Sequence, residues 1–470
     1  MSTPSAARPS QRPGTLRSLA LAMTSWRTAS VTLMSFASGL PLGLVWIAIP
    51  DWMRSAGVDL KTVGLFTLVQ APWSFKFLWA PLMDRWSPGF WGRRRGWIAI
   101  AQVVLFALGL GMAGLGNHPE SPWVVAALAL AIALASATQD IAIDAYAVDV
   151  LEAHEQGVAS GARVAVYRAA MYLSGGLAIS IAARIGWGWV NLGLALLFLP
   201  FLLATGRSPE PAVVAAPARS LREVVWEPFL GFLGRPRALE ILAFVLCYKL
   251  ADNLSQALLR PFLIDMGYTA DDRGFVVSTL SVFATIGGAF LGGLLTTLLG
   301  LGRSLWIFGF VQIFSNIGYV LVAGSPVDRP LMYSAMSFET FTQGLGTGAF
   351  SVLLLRLTQK RFSATQYALY SSLFSIPRII SGPIAGFLAD TIGWSTFFWL
   401  TMLAGIPGLV LLRRFVPWSE RDPQFPVSED WERGVALTPR QLWLRGIVGT
   451  VAGLVLALGS SAALDGLRGL

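Results

Sequence analysis

Ser174-Gly175-Gly176-Leu177-Ala178, followed by Ile185-Gly186-Trp187, returns as Ser381-Gly382-Pro383-Ile384-Ala385, followed by Ile392-Gly393-Trp394, at a constant offset of 207 residues. Each copy lies in an apolar run, so the chain reads as two related halves. A membrane-spanning helix needs about 20 mostly apolar residues. Such runs occur near 30–50, 62–83, 97–115, 123–148, 160–184 and 188–205. A second set follows near 239–264, 274–299, 304–323, 331–356, 366–390 and 395–416, with a thirteenth near 442–463. Barrel strands would instead alternate over segments of about 10 residues. The expected fold is an all-α polytopic membrane protein with two six-helix halves and one extra C-terminal span. Its divisions are a tail over 1–29, a first half over 30–205, a linker over 206–238, a second half over 239–416, a charged segment over 417–441 and a last helix over 442–470.

Composition agrees. Of 470 residues, 54% are hydrophobic and 13% charged, against roughly 25% charged in soluble domains, and the mean hydropathy is +0.61. A disordered tail, a disulfide scaffold and a single soluble core are excluded. The net charge of +9 would suggest nucleic acid in a soluble protein, but here it reports orientation. Of the basic residues, 24 fall on the side of the N-terminus, six on the opposite side and five within or at the ends of spans. The 24 include Arg163, read as a loop charge. The positive-inside rule places the N-terminus in the cytoplasm. The first 29 residues run into an apolar stretch longer than the ~7–15 residues of a secretory signal core, so the first span is read as uncleaved. Cys247, the one cysteine, lies in an apolar run as a small hydrophobe.

Ionisable groups are expensive within a bilayer, which makes each a functional candidate. Asp140 and Asp144 stand one turn apart in span four. Repulsion and low dielectric favour a proton held by one of them, which could be carried across and released. The alternative is solvation at the cytoplasmic end, or pairing with Arg168 or the Arg93 to Arg95 cluster. Span seven places Lys249, Asp252, Asn253 and Gln256 on one face, and span ten carries Glu339 with Gln343 and the glycines at 344, 346 and 348. Those glycines point to close helix packing. Asp140, Asp144, Asp252 and Glu339 are the proton-coupling candidates. Lys76, Arg168 and Arg378 come from three different spans and would attract an anionic solute if they converge; snorkelling or internal pairing is the alternative. Tyr167, Trp46 and Trp73 could offer stacking faces to sugar rings.

Between spans two and three, Asp84-Arg85 is followed by Arg93-Arg94-Arg95. This resembles the loop signature of the major facilitator superfamily, whose charged residues latch the two halves in one state. His118 and His154 lie in loops on opposite sides, and no phosphate-binding loop, nucleophile elbow or Cys/His set is found. Without an ATP-binding module, uphill transport would draw on an ion gradient and no cofactor.

The chain resembles the AmpG muropeptide permease family more specifically. The resemblance runs colinearly over about 30–416. It rests on Phe36-Ala37-Ser38-Gly39-Leu40-Pro41, on Lys76 through Arg85, on Gly92 through Trp97, on Gln139-Asp140 with Asp144, and on Phe362-Ser363-Ala364-Thr365-Gln366. It continues through Tyr248-Lys249-Leu250 with Asp252, Gly346-Thr347 with Ala349-Phe350, and Gly393-Trp394-Ser395-Thr396-Phe397. The resemblance implies proton-driven import of anhydromuropeptides across the bacterial inner membrane for cell-wall recycling, with β-lactamase induction downstream. The cargo would be an anionic glycopeptide and the carrier a monomer in the bilayer. It also implies functional weight for Gly39, Ala137 and Gln139, so the binding candidates are these three with Lys76, Tyr167, Arg168, Lys249, Asn253, Gln343 and Arg378. Members close to the enterobacterial permease carry Trp at Tyr146, Asn at Thr340 and two extra spans. These departures leave other cargoes open within the fold: a siderophore, an acyl-CoA or a drug. A membrane-embedded enzyme or receptor for lipid-linked wall precursors would call for long polar outer loops, and those here are short.

Overall fold

Twelve helical segments cross the molecule in the computed structural model, which describes residues 15–115, 122–211, 225, 227–228, 238–418 and 420–423. We number them α1 (Trp26–Ser55), α2 (60–85), α3 (Arg95–Gly114), α4 (Pro122–Val150), α5 (Gln156–Ile185), α6 (Trp187–Arg207), α7 (238–265), α8 (270–299), α9 (Leu301–Gly324), α10 (Arg329–Leu357), α11 (Ser363–Ile392) and α12 (Trp394–Phe415). Eight helices among the described residues are long and apolar enough to cross a membrane. The thirteenth span and most of the linker lie outside the described residues. One segment departs from the sequence expectation: Thr15–Thr24, placed in an N-terminal tail, is helical and packs against α5 and α8.

The halves share their turns as well as their sequence echo. Among the described residues, the six glycines with positive φ fall into three pairs at corresponding connections: Gly57 with Gly267, Gly92 with Gly300, and Gly186 with Gly393. At Gly186 (φ 89°, ψ 155°) and Gly393 (φ 76°, ψ 160°) the chain leaves one helix and enters the next without a loop, a conformation that a Cβ would strain. Helix starts repeat too. Asp59 accepts from the Thr62 amide at the head of α2, and Thr269 accepts from the Asp272 amide at the head of α8, at 3.0 and 3.2 Å.

Contacts between the halves obey the same relationship. α5 packs on α8 and α10, while α11 packs on α2 and α4. The α5/α8 crossing is backbone to backbone, because a Cβ on Gly161 would stand 2.6 Å from the Ala289 carbonyl oxygen. Gly344 and Gly348 do the same for α10 against α8, at 2.6 Å from the Thr285 oxygen and 3.0 Å from the Ala289 oxygen. Regular helix is broken where polar residues enter. α2 is interrupted by a 3₁₀ turn at Lys76–Leu78 and α7 at Tyr248 and Lys249. Pro41 leaves the Ala37 carbonyl of α1 without its helical donor. The π-helical turns of α1 (Leu44–Ala48) and α5 (Leu173–Leu177) lie against each other. The echo at 381–385 stays α-helical, so the repeat is one of position rather than of local geometry.

Candidate functional site: a charged cavity between the halves

A cavity of ≈ 250 Å³ lies between the halves. α1, α2, α4 and α5 bring Ser38, Lys76, Asp140, Asp144, Arg163, Tyr167 and Arg168, and α10 and α11 bring Thr347, Phe350 and Tyr367. Lys76 Nζ donates to Asp144 at 3.2 Å, Arg163 donates to the other oxygen of Asp144, and Ser38 donates to Asp140. Asp140 and Asp144 therefore share a face, as the one-turn spacing requires, but each has its own partners. Those partners correct the sequence reading: neither Arg168 nor the Arg93 to Arg95 cluster pairs with them. Arg163, read as a loop charge, sits inside α5 with its guanidinium on the cavity wall. The Ala-, Gly- and Ser-rich start of α5 resembles a loop in hydropathy, which hid it.

The arrangement can hold charge within the bilayer because Lys76, Arg163, Asp140 and Asp144 each meet an opposite charge or a hydroxyl donor. Such a network is stable when intact and costly when one member is lost. Arg168 lines the same cavity, and Arg378 reaches from α11 to lie over the Trp46 ring of α1 at 5.2 Å. Trp46 in turn meets Trp73 edge-on at 6.3 Å.

The other candidates lie elsewhere. Gly39 is a crossing point rather than a wall of the cavity, since its Cβ would stand 2.5 Å from the Tyr167 carbonyl oxygen. Ala137 and Gln139 are fully buried on α4, and neither oxygen nor nitrogen of the Gln139 amide has a partner. A second polar cluster occupies the C-terminal half. Lys249 donates to Asp252 at 2.9 Å and to the Gln343 backbone oxygen at 3.2 Å. Glu339, buried, accepts from Gln256 at 2.5 Å and from the Tyr319 hydroxyl at 3.0 Å. Asn253 lies beside this group with its amide nitrogen unpartnered. Tyr319, in an apolar part of α9, was missed because its role depends on a helix crossing. Cys247 is half-buried and free.

The loop signature forms the seal between the halves. Asp84 is buried, pairs with Arg94 at 2.5 Å and Arg93 at 3.3 Å, and accepts the Thr365 amide and hydroxyl at 2.8 and 2.7 Å. Arg94 also reaches Asp149 at 3.1 Å and Ser363 at 2.9 Å, and Arg93 the Arg361 carbonyl at 3.2 Å. Arg356 adds a bond to Gln156 at 3.1 Å and a pair with Asp422 at 3.0 Å. Arg95 belongs to a different contact, pairing with Glu210 at 2.5 Å beyond the end of α6. Arg85 lies over Trp86 at 5.8 Å. The seam is thus closed on the side that carries the N-terminus.

Comparison with known proteins agrees with this geometry. Residues 31–382 match the Major Facilitator Superfamily. The chain is 42% identical to the anhydromuropeptide permease of Escherichia coli (strain K12) over 388 residues, covering 82% of this chain and 79% of that one. It is 32% identical to a protein of Haemophilus influenzae (strain ATCC 51907 / DSM 11121 / KW20 / Rd), covering 82% and 94%. The crystal structure of a bacterial homologue of the iron transporter ferroportin, in its outward-facing state, shares the fold at a TM-score of 0.60 with 16% identity, over 82% of this chain and 98% of that one. The protein is a multi-pass membrane transporter rather than an enzyme. By its matched segment and its close relatives, the chain belongs to the Major Facilitator Superfamily and, within it, to the family of AmpG anhydromuropeptide permeases.

Proposed function

We propose that the protein imports anhydromuropeptides across the bacterial inner membrane by alternating access, driven by the proton gradient, with its N-terminus in the cytoplasm. The observation that carries the cargo is the 42% identity to an anhydromuropeptide permease, which spans both halves. Orientation is supported by the excess of basic residues on the N-terminal side. With the seam closed on that side, the Asp84 contacts bar the cavity from the cytoplasm. Import then requires breaking the Asp84 seal and forming a new one across the outer ends of the halves.

Proton coupling falls to the carboxylates that face both charges and cavity, Asp140 and Asp144. Protonating Asp144 would release Lys76 and Arg163 together, and that change links proton occupancy to the packing of α2, α4 and α5. Asp252 and Glu339 form a second acidic pair at a distance from the cavity wall and are candidates for the same task in the C-terminal half. The test is uptake of labelled anhydromuropeptide by proteoliposomes under an imposed pH gradient. Accumulation above that of empty vesicles is expected, and its absence would refute the proposal.

A further inference from the structure

We propose that Arg168 and Arg378, one from each half, form an anion clamp across the cleft that takes the carboxylate of an acidic sugar derivative. The inference deepens the transport reading and rests on it for the identity of the cargo only. Its basis is a ledger of charge in and beside the cavity. Lys76 and Arg163 are both engaged by Asp144, and Asp140 is held by Ser38. Among the described residues no such acid meets the other two arginines. Among the described residues, the charged group acting on Arg168 is Arg378, with Tyr167 beside both. Both residues are exposed; Arg168 lines the cavity itself, and Arg378 comes from α11, which also brings Tyr367 to the cavity wall.

Their supports differ in a useful way. Arg378 is steadied over the Trp46 ring, and a guanidinium held against a ring keeps its in-plane N–H donors available for an anion. Arg168 sits on α5, whose close crossings with α1 and α8 fix its position. With no acid recorded at either among the described residues, two like charges on opposite halves repel and favour an open cleft. A carboxylate placed between them removes that repulsion and can bind both forks of donors. Binding of an acid therefore draws the halves together, whereas a neutral analogue of equal size leaves them apart.

The experiment is arginine labelling of the full-length protein in detergent by phenylglyoxal, with peptide mass spectrometry to read Arg168 and Arg378 separately. N-acetylmuramic acid is the probe and its methyl ester the neutral control. At about ten times its dissociation constant the acid should slow labelling of both arginines roughly tenfold, by mass action, and the ester should leave the rates unchanged. Protection of neither arginine, of one alone, or equally by acid and ester, overturns the clamp. Loss of muropeptide uptake with acid protection intact would remove the proposed cargo and leave the clamp standing. Uptake without protection would do the reverse.

Discussion

Asp84, in the first half, accepts a hydrogen bond from the backbone amide of Thr365, in the second, at 2.8 Å while holding Arg94 at 2.5 Å. One carboxylate thus ties its own half's arginines to the start of α11. Its replacement by Asn removes a charge from beneath two buried arginines, at a cost of about 3–5 kcal/mol to the closed seam. Asp84→Asn should expose cysteines placed on the cavity wall to reagents added on the N-terminal side and should slow transport by an order of magnitude or more. Unchanged accessibility would show that the helix crossings alone hold the seam.

The α5/α8 crossing supplies a second test. A Cβ on Gly293 would stand 2.4 Å from the Gly157 oxygen, so Gly293→Ala forces the helices apart where backbone cannot yield. A loss of about 1–3 kcal/mol is expected, read as a lower midpoint in thermal unfolding and weaker cross-linking between the halves. Gly287, with open space around its Cβ position, is the control; Gly287→Ala should be neutral or slightly stabilising.

Lys76 and Asp144 are partners to be tested as a pair. Asp144→Asn strands two cations, and Lys76→Gln leaves Asp144 with Arg163 alone, so the first should be the more damaging. Combining them should recover part of the loss, with a coupling energy of about 0.5–3 kcal/mol in a double-mutant cycle. Strict additivity in thermal stability would mean that the 3.2 Å contact contributes nothing.

On the opposite side from the seal, Asp272 accepts from Arg329 at 3.0 Å and from the Tyr333 hydroxyl at 3.0 Å. Thr269 and these donors hold its carboxyl down at about 2, against 3.8 without them. A carboxylate with a depressed pKa stabilises the fold above its unfolded value and loses that contribution as pH falls. The stability of the α7–α8 and α9–α10 connections should therefore be constant above about pH 4 and decline from there toward pH 2. Asp272→Asn should flatten that decline in thermal scans across the same window; an unaltered slope would place the acid sensitivity elsewhere.

Much of this architecture is readable from apolar runs, because a helix in lipid must satisfy its backbone alone and so declares itself by length. The pairing of halves was readable from the echo around Gly186 and Gly393, whose positive φ explains why those positions recur. The site was readable as a set of residue types but not as partners. Lys76 and Asp144 stand 68 residues apart, and only the packing of α2 on α4 joins them. Arg163 escaped because charge in an Ala- and Gly-rich segment resembles a loop. Gly39 was grouped with binding residues, although its requirement comes from the approach of α1 to α5. The resemblance marked Gln139 without a mechanism, and its buried, unpartnered amide leaves that residue without a structural explanation.

Coupling of proton movement to import is tested most directly by comparing two activities in the same proteoliposomes: uptake of labelled anhydromuropeptide under an inward pH gradient, and exchange of the same solute at equal pH. Proton coupling through these carboxylates requires gradient-driven accumulation by the native protein, and a greater loss of accumulation than of exchange in Asp144→Asn and Asp140→Asn. Equal loss of both activities, or accumulation indifferent to the gradient, would contradict it.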